Sequence, residues 1–246
     1  MAVVAVYSIK GGVGKTTLAV DLAWRWAALA GRPTLLWDLD PQNGAGFLLG
    51  FDDPAVQRAA AVFQREGQFR EMIRQTGYRP LDLLQADQSL RALPAQLARM
   101  GHRRRLRTVT SLLKAQYQRI VIDCPAGLNE VSEQVLAAAD VVIVPLPASP
   151  LSARALEMLR REMTRGGIRH APILPVLSFY DARRRLHREV AAGIAQGWPI
   201  LPMASQIEQT AVRRVPLGAF APQSPAAQAM GRVWQGIDAK LAQLGL

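Results

Sequence analysis

Lys10-Gly11-Gly12-Val13-Gly14-Lys15-Thr16-Thr17 lies between an apolar run, Ala2–Ser8 (AVVAVYS), and a stretch from Thr16 to Ala30 that stops at Gly31, with Pro33 two residues on. The β-branched run bounded by glycines reads as a buried parallel strand, and the following stretch as a helix with a glycine stop. A glycine-rich loop joining such a strand to such a helix is what phosphate binding needs. Glycines let the backbone wrap closely and turn N–H groups inward, and the helix start adds partial positive charge. In this reading Lys15 reaches the β- and γ-phosphates and the Thr16 hydroxyl ligates Mg²⁺. The candidate nucleotide cradle is Lys10, Gly11, Gly12, Val13, Gly14, Lys15, Thr16 and Thr17.

Outward from that loop, strand and helix signals alternate. Strands are expected at Thr34–Asp38, Leu81–Leu84, Arg119–Asp123, Val141–Pro145, Ile173–Leu177 and Ile200–Met203. Helical pieces are expected over 52–78, 88–117, 129–138, 151–165, 183–196 and 225–244. Strands separated by helices imply right-handed crossovers, hence an α/β fold: a mostly parallel twisted sheet with helices on both faces. No internal repeat and no Gly/Ser linker interrupts the 246 residues, so one P-loop NTPase domain over 1–246 is the reading. Half the residues are apolar and 20% charged, a globular composition that excludes disordered and fibrous chains. One cysteine, Cys124, excludes an intrachain disulfide, a cysteine-built zinc site and an iron–sulfur cluster within one chain. Cys124 itself reads as a small packing residue.

Two carboxylate-bearing segments stand where such a sheet places its metal chemistry. Leu35-Leu36-Trp37-Asp38-Leu39-Asp40-Pro41-Gln42 ends the second strand, and Arg119-Ile120-Val121-Ile122-Asp123-Cys124-Pro125 is an apolar run closing on one aspartate. Ligands of open α/β sheets bind at the strands' carboxyl ends, and Asp123 there suits Mg²⁺ held through water. The usual phosphate loop has glycine six residues before its GK lysine. Here that position is Ile9, and a second lysine, Lys10, opens the loop.

This loop resembles the deviant Walker A motif, K-G-G-x-x-K-[ST], of the ParA/MinD family of ATPases. The resemblance implies ATP and Mg²⁺ as cofactors. It casts Lys10 as a cation supplied across a dimer interface to the partner's nucleotide, as an arginine finger is. Asp38-Leu39-Asp40-Pro41-Gln42 is similar to the family's D-x-D-P-Q switch segment. By that likeness Asp38 helps hold magnesium with Thr16 and Asp123, and Asp40 orients the attacking water, making Lys10, Lys15 and Asp40 the catalytic set. Likeness continues through Ala139–Pro145, through Leu177-Ser178-Phe179-Tyr180-Asp181-Ala182-Arg183 and through Ala219–Ala227, so it covers essentially the whole chain. It is strongest to small ParA proteins that begin directly at the first strand. The family's arginine and L-S-E-A-like segment is replaced by Ala204-Ser205-Gln206-Ile207-Glu208-Gln209-Thr210-Ala211, which shifts the expected arginine to Arg213 or Arg214.

Thirty basic against nineteen acidic residues give a net charge of +11, an excess that marks contact with a polyanion. Clusters stand at 103–105 with Arg107, at Arg160-Arg161 with Arg165 and Arg169, at Arg183-Arg184-Arg185 with Arg188, and at Arg213-Arg214. By resemblance the last two clusters, Arg183, Arg184, Arg185, Arg188, Arg213 and Arg214, are the candidate contacts to non-specific DNA. The expected protein is an ATP-bound homodimer that segregates or positions a cargo. A ParB-like or other cargo adaptor stimulates its hydrolysis. Neither a membrane span nor an export signal is visible, so it is placed in the cytoplasm on the nucleoid. Two alternatives remain open. A MinD-type membrane switch would need the tail Trp234–Leu244 as a lipid-facing helix, and a dethiobiotin-synthetase-like ligase would need a substrate pocket and leaves +11 without a role.

Overall fold

The computed structural model describes residues 1–52, 59–63, 68–100, 104–165 and 171–246. Eight strands form one sheet: β1 Ala2–Val6, β2 Thr34–Asp38, β3 Ile73–Gln75, β4 Leu81–Leu84, β5 Arg119–Asp123, β6 Val141–Pro147, β7 Ile173–Tyr180 and β8 Ile200–Pro202. Their order is β3-β4-β2-β5-β1-β6-β7-β8, and every pairing is parallel except β3 with β4. The helices are α1 Lys15–Trp24, α2 Gly44–Leu48, α3 Leu93–Met100, α4 Arg105–Leu112, α5 Glu130–Ala138, α6 Pro150–Arg165, α7 Arg185–Ala192, α8 Ser205–Arg213, α9 Leu217–Phe220 and α10 Pro225–Gln243.

Strand side chains alternate between two apolar cores, as the pleat requires. Val3, Ala5, Leu35, Trp37, Ile120 and Ile122 face the core built with α3, α4, α5 and α6. Ala2, Val4, Val6, Leu36 and Val121 face the opposite core, built with α1, α2 and α10. The expected mostly parallel sheet, covered on both faces, is what the chain forms.

Particular elements differ from expectation. The stretch 52–78, expected helical, holds only 3₁₀ turns at Ala59–Phe63 and Gln68–Met72 before β3; residues 53–58 and 64–67 lie outside the described set. The single helix expected over 16–30 ends as α1 at Trp24, continues as one π-helical turn, Arg25–Leu29, and stops at Gly31 with φ 63. Basic stretch 88–117 divides into a 3₁₀ turn, α3 and α4. Helices α2, α8 and α9 carry no expectation from sequence.

Register positions the site. Val6 and Asp38 both pair with Asp123, so β1, β2 and β5 end at one level, with neighbouring strands about 4.8 Å apart. β1 lies between β5 and β6, where the connections part to opposite sides of the sheet. The crevice outside the strand ends opens at such a point.

Candidate nucleotide site

The loop after β1 turns on two glycines with positive φ, Gly12 (68°) and Gly14 (87°), values that a Cβ would strain. Gly14 is the residue before α1 and its carbonyl accepts from the Leu18 N–H. Gly11 and Gly12 are exposed, Val13 is packed into the protein, and Lys10 is half-buried with its N–H donating to Ser8 Oγ at 3.3 Å. Lys15 is only 7% exposed, whereas Thr16 and Thr17 are half-buried. Burying a lysine is costly without an anion beside it, and the carboxylate facing this one is Asp123.

Asp38 and Asp123 sit side by side at the ends of β2 and β5 and are almost wholly buried. Asp38 accepts from the Asp40 N–H at 3.0 Å and from the Ala45 N–H at 2.9 Å. Both Asp123 oxygens are buried and neither has a partner at good hydrogen-bond geometry among the described residues, although the Thr16 hydroxyl is near enough to act on the carboxyl. Burial pushes the Asp123 carboxyl up to about 7, against the pull of the Thr16 hydroxyl and the Lys15 ammonium. Burial first, and then the charge of Asp123, drives Asp38 well above the usual carboxylate range. Two adjacent buried carboxyls, one without a well-formed hydrogen bond, form a pocket of negative potential that a cation would relieve. The described residues contain no group of three or more Asp, Glu, His or Cys able to hold a metal by themselves. The residues therefore fit a hard ion ligated by the Thr16 hydroxyl and by phosphate, with Asp38 and Asp123 acting through water.

Asp40 is half-buried on the turn after β2, and its Oδ1 accepts from the Gln42 N–H at 3.0 Å. Cys124 is fully buried, and burial pushes its thiol well up, which suits packing and not nucleophilic attack. Tyr7 ties the end of β1 to the loop after β5, its hydroxyl donating to the Gly127 carbonyl at 2.8 Å.

Sequence reasoning missed two residues here. Phe179, the last residue but one of β7, has φ 53, and a Cβ on Gly14 would stand 3.5 Å from its Cζ, so its ring lies against the phosphate loop. No signal in the sequence marks a left-handed phenylalanine, which is rare. Asn43 has φ 55 before α2, and the Asn43-Gly44 pair is a turn signal that could have placed it.

The structure separates the six arginines expected to meet DNA. Arg183, Arg184 and Arg185 have side chains 89%, 63% and 87% exposed, and Arg188 and Arg213 are exposed as well. Arg183 makes a two-pronged pair with Asp181, 2.9 and 3.0 Å. Arg214 stands apart, only 25% exposed, with its guanidinium turned onto Phe47 and Asp52. Of the other clusters, Arg103 and Arg169 lie outside the described residues.

Residues 1–166 match a family model described as an AAA domain. The chromosome partitioning protein ParA of Myxococcus xanthus is 32% identical over 196 residues, 76% of this chain and 68% of that protein. The chromosome-partitioning ATPase Soj of Treponema pallidum is 27% identical over 248 residues, 95% and 96% of the two chains. Among solved structures, apo McdA from Cyanothece superposes with a TM-score of 0.84 at 21% identity, covering 98% of this chain and 99% of that one; the ATP complex of an aspartate-to-alanine variant of McdA gives 0.83.

Proposed function

The chain belongs to the ParA family of P-loop ATPases, and from that footing we propose that it hydrolyses ATP with Mg²⁺ as a homodimer, binds DNA without sequence preference and positions a cargo. One ParA-like domain over 1–246 is part of the proposal, supported by the single sheet that runs from β1 to β8. The carrying observation is the pair of buried carboxyls, Asp38 and Asp123, set against Lys15 and Thr16, with neither Asp123 oxygen in a well-formed hydrogen bond among the described residues.

The chain's own residues divide the work. Backbone N–H groups of 11–17 and the Lys15 ammonium hold the phosphates. Thr16, with Asp38 and Asp123 acting through water, would hold Mg²⁺, which would supply neutralisation of phosphate charge. Asp40, next to Asp38 and open to solvent on one side, orients the attacking water. Lys10, half-buried at the start of the loop, serves the partner's nucleotide and so ties dimerisation to ATP. Arg183, Arg184, Arg185, Arg188 and Arg213 meet DNA phosphates, and a ParB-like adaptor stimulates turnover and release on the nucleoid.

The apolar stripe of α10 supports core packing over a lipid-facing role, since Val233, Ile237 and Leu241 are buried against α1. No helix among the described residues is long and apolar enough to cross a membrane. The deciding experiment combines size-exclusion and gel-shift measurements with ATP, ADP and Lys15→Ala. The wild type is expected to dimerise and retain arbitrary duplex DNA with ATP alone, and Lys15→Ala to do neither. Retention indifferent to nucleotide and salt would remove the DNA-positioning reading.

A further inference from the structure

Arg214 ends α8 in the left-handed region, φ 56 and ψ 43, where non-glycine residues are uncommon. Its guanidinium lies 4.6 Å over the Phe47 ring, Nε donates to the Phe47 carbonyl at 2.9 Å, and Nη1 stands 2.7 Å from the Asp52 carboxylate. A planar, forked cation suits stacking, carbonyl and carboxylate at once; an ammonium cannot satisfy the three together. Phe47 belongs to α2, a single helical turn of five residues, about 7.5 Å long.

The other end of that turn stands on the nucleotide site. The Ala45 N–H is held by Asp38 at 2.9 Å, and a Cβ on Gly44 would come 3.1 Å from Thr16 Cγ2. The Asn43 and Gln85 side-chain amides close over Gly46, where a Cβ would displace them. One short, tightly seated element thus touches the metal-side residues at its start and α8 at its end.

We infer that Arg214 is a positioning residue that ties α8 to α2, so that occupancy of the Thr16–Asp38 corner sets where α8 and the exposed Arg213 beside it stand. The inference rests on the reading of that corner as a magnesium–nucleotide site. A cation there changes what Asp38 faces, Asp38 holds the first turn of α2, and the Phe47–Arg214 stack carries any shift of α2 to α8. A ligand moves such an element only by contacting its two positions differently, and the Asp38 hydrogen bond to α2 is where that difference arises. Arg214 accordingly leaves the set of expected DNA contacts.

Amide hydrogen exchange of the full chain, free and saturated with Mg²⁺ and a non-hydrolysable ATP analogue, tests this. In the wild type, residues 10–17 gain protection and the α8 amides, 205–213, change by about threefold or more. Arg214→Ala, Arg214→Lys and Phe47→Leu keep the response at 10–17 and lose the one on α8. Phe47→Leu preserves apolar bulk and stands in should Arg214→Ala fail to fold. A wild type that responds at 10–17 with α8 silent overturns the inference alone, as does an α8 response that survives in Phe47→Leu or Arg214→Lys. Silence at 10–17 overturns the site reading and the inference together.

Discussion

Three aspartates, two ending β2 and β5 and one on the turn after β2, differ in how their oxygens are used, and this separates their roles. Asp38 has both oxygens on backbone N–H groups, so it cannot move without moving the segment after β2. Asp123 has neither in a well-formed hydrogen bond among the described residues, and Asp40 keeps one face toward water. Asp40→Ala is expected to bind ATP within a few-fold of wild type while single-turnover phosphate release falls about 10²-fold or more, the usual worth of a positioned proton acceptor. Asp123→Asn is expected to register in two measurements. An amide does not attract a cation, so the Mg²⁺ concentration for half-maximal ATP binding should rise about tenfold or more. The same change takes away the carboxylate that faces the buried Lys15 ammonium, so the nucleotide-free variant should melt below wild type, read by calorimetry.

The elements hold these residues through contacts that span the chain. Asp21 of α1 pairs with Arg25 at 2.5 Å and accepts from the Gly218 N–H at 2.8 Å, while Arg25 donates to the Ala227 carbonyl at 2.9 Å. A buried pair of this kind punishes removal of one partner. Arg25→Met should cost about 3–5 kcal/mol in denaturant unfolding, and Asp21→Asn with Arg25→Met clearly less than the sum of the singles. Gly218→Ala would drive a methyl to 2.4 Å from Trp24 Cζ3, an overpacking worth about 1–3 kcal/mol by the same assay. Sequence legibility follows the same physics. β2 and β5 match their expected bounds, Thr34–Asp38 and Arg119–Asp123, because buried parallel strands are unbroken apolar runs. β3 was not legible: Ile-Arg-Gln has one apolar residue, and its pairing depends on the free edge of β4. Nor was α2, whose Gly-Ala-Gly-Phe-Leu is a poor helix former held by Asp38 and its seat on Thr16. The phosphate loop, Asp38 and Asp123 were readable as strand-end chemistry. The left-handed Phe179 and the inward turn of Arg214 were not, because tertiary packing alone imposes them.

Over the whole molecule the +11 charge sets an ionic-strength dependence. Each phosphate neutralised on duplex DNA contributes about 0.9 to the slope of log affinity against log salt. Replacing Arg184 and Arg185 together by alanine removes up to four phosphate contacts from a homodimer and should therefore reduce that slope by about 3.6, measured by salt titration of ATP-dependent retention. Replacing Lys10 by alanine should leave one protomer able to take nucleotide yet abolish the dimer in sizing and light scattering. The core beneath the phosphate loop has a further consequence for how such a chain is made. Its first layer, β1 and α1, is sealed by α10 through contacts 202 residues apart in sequence, and Asp238 near the end gathers Trp26, Arg32 and Arg119. During translation α1 therefore leaves the ribosome with a greasy flank that stays bare until α10 has followed it. That makes the newborn chain a client for holdases, and an early stop codon before α10 should yield inclusion bodies instead of a smaller enzyme.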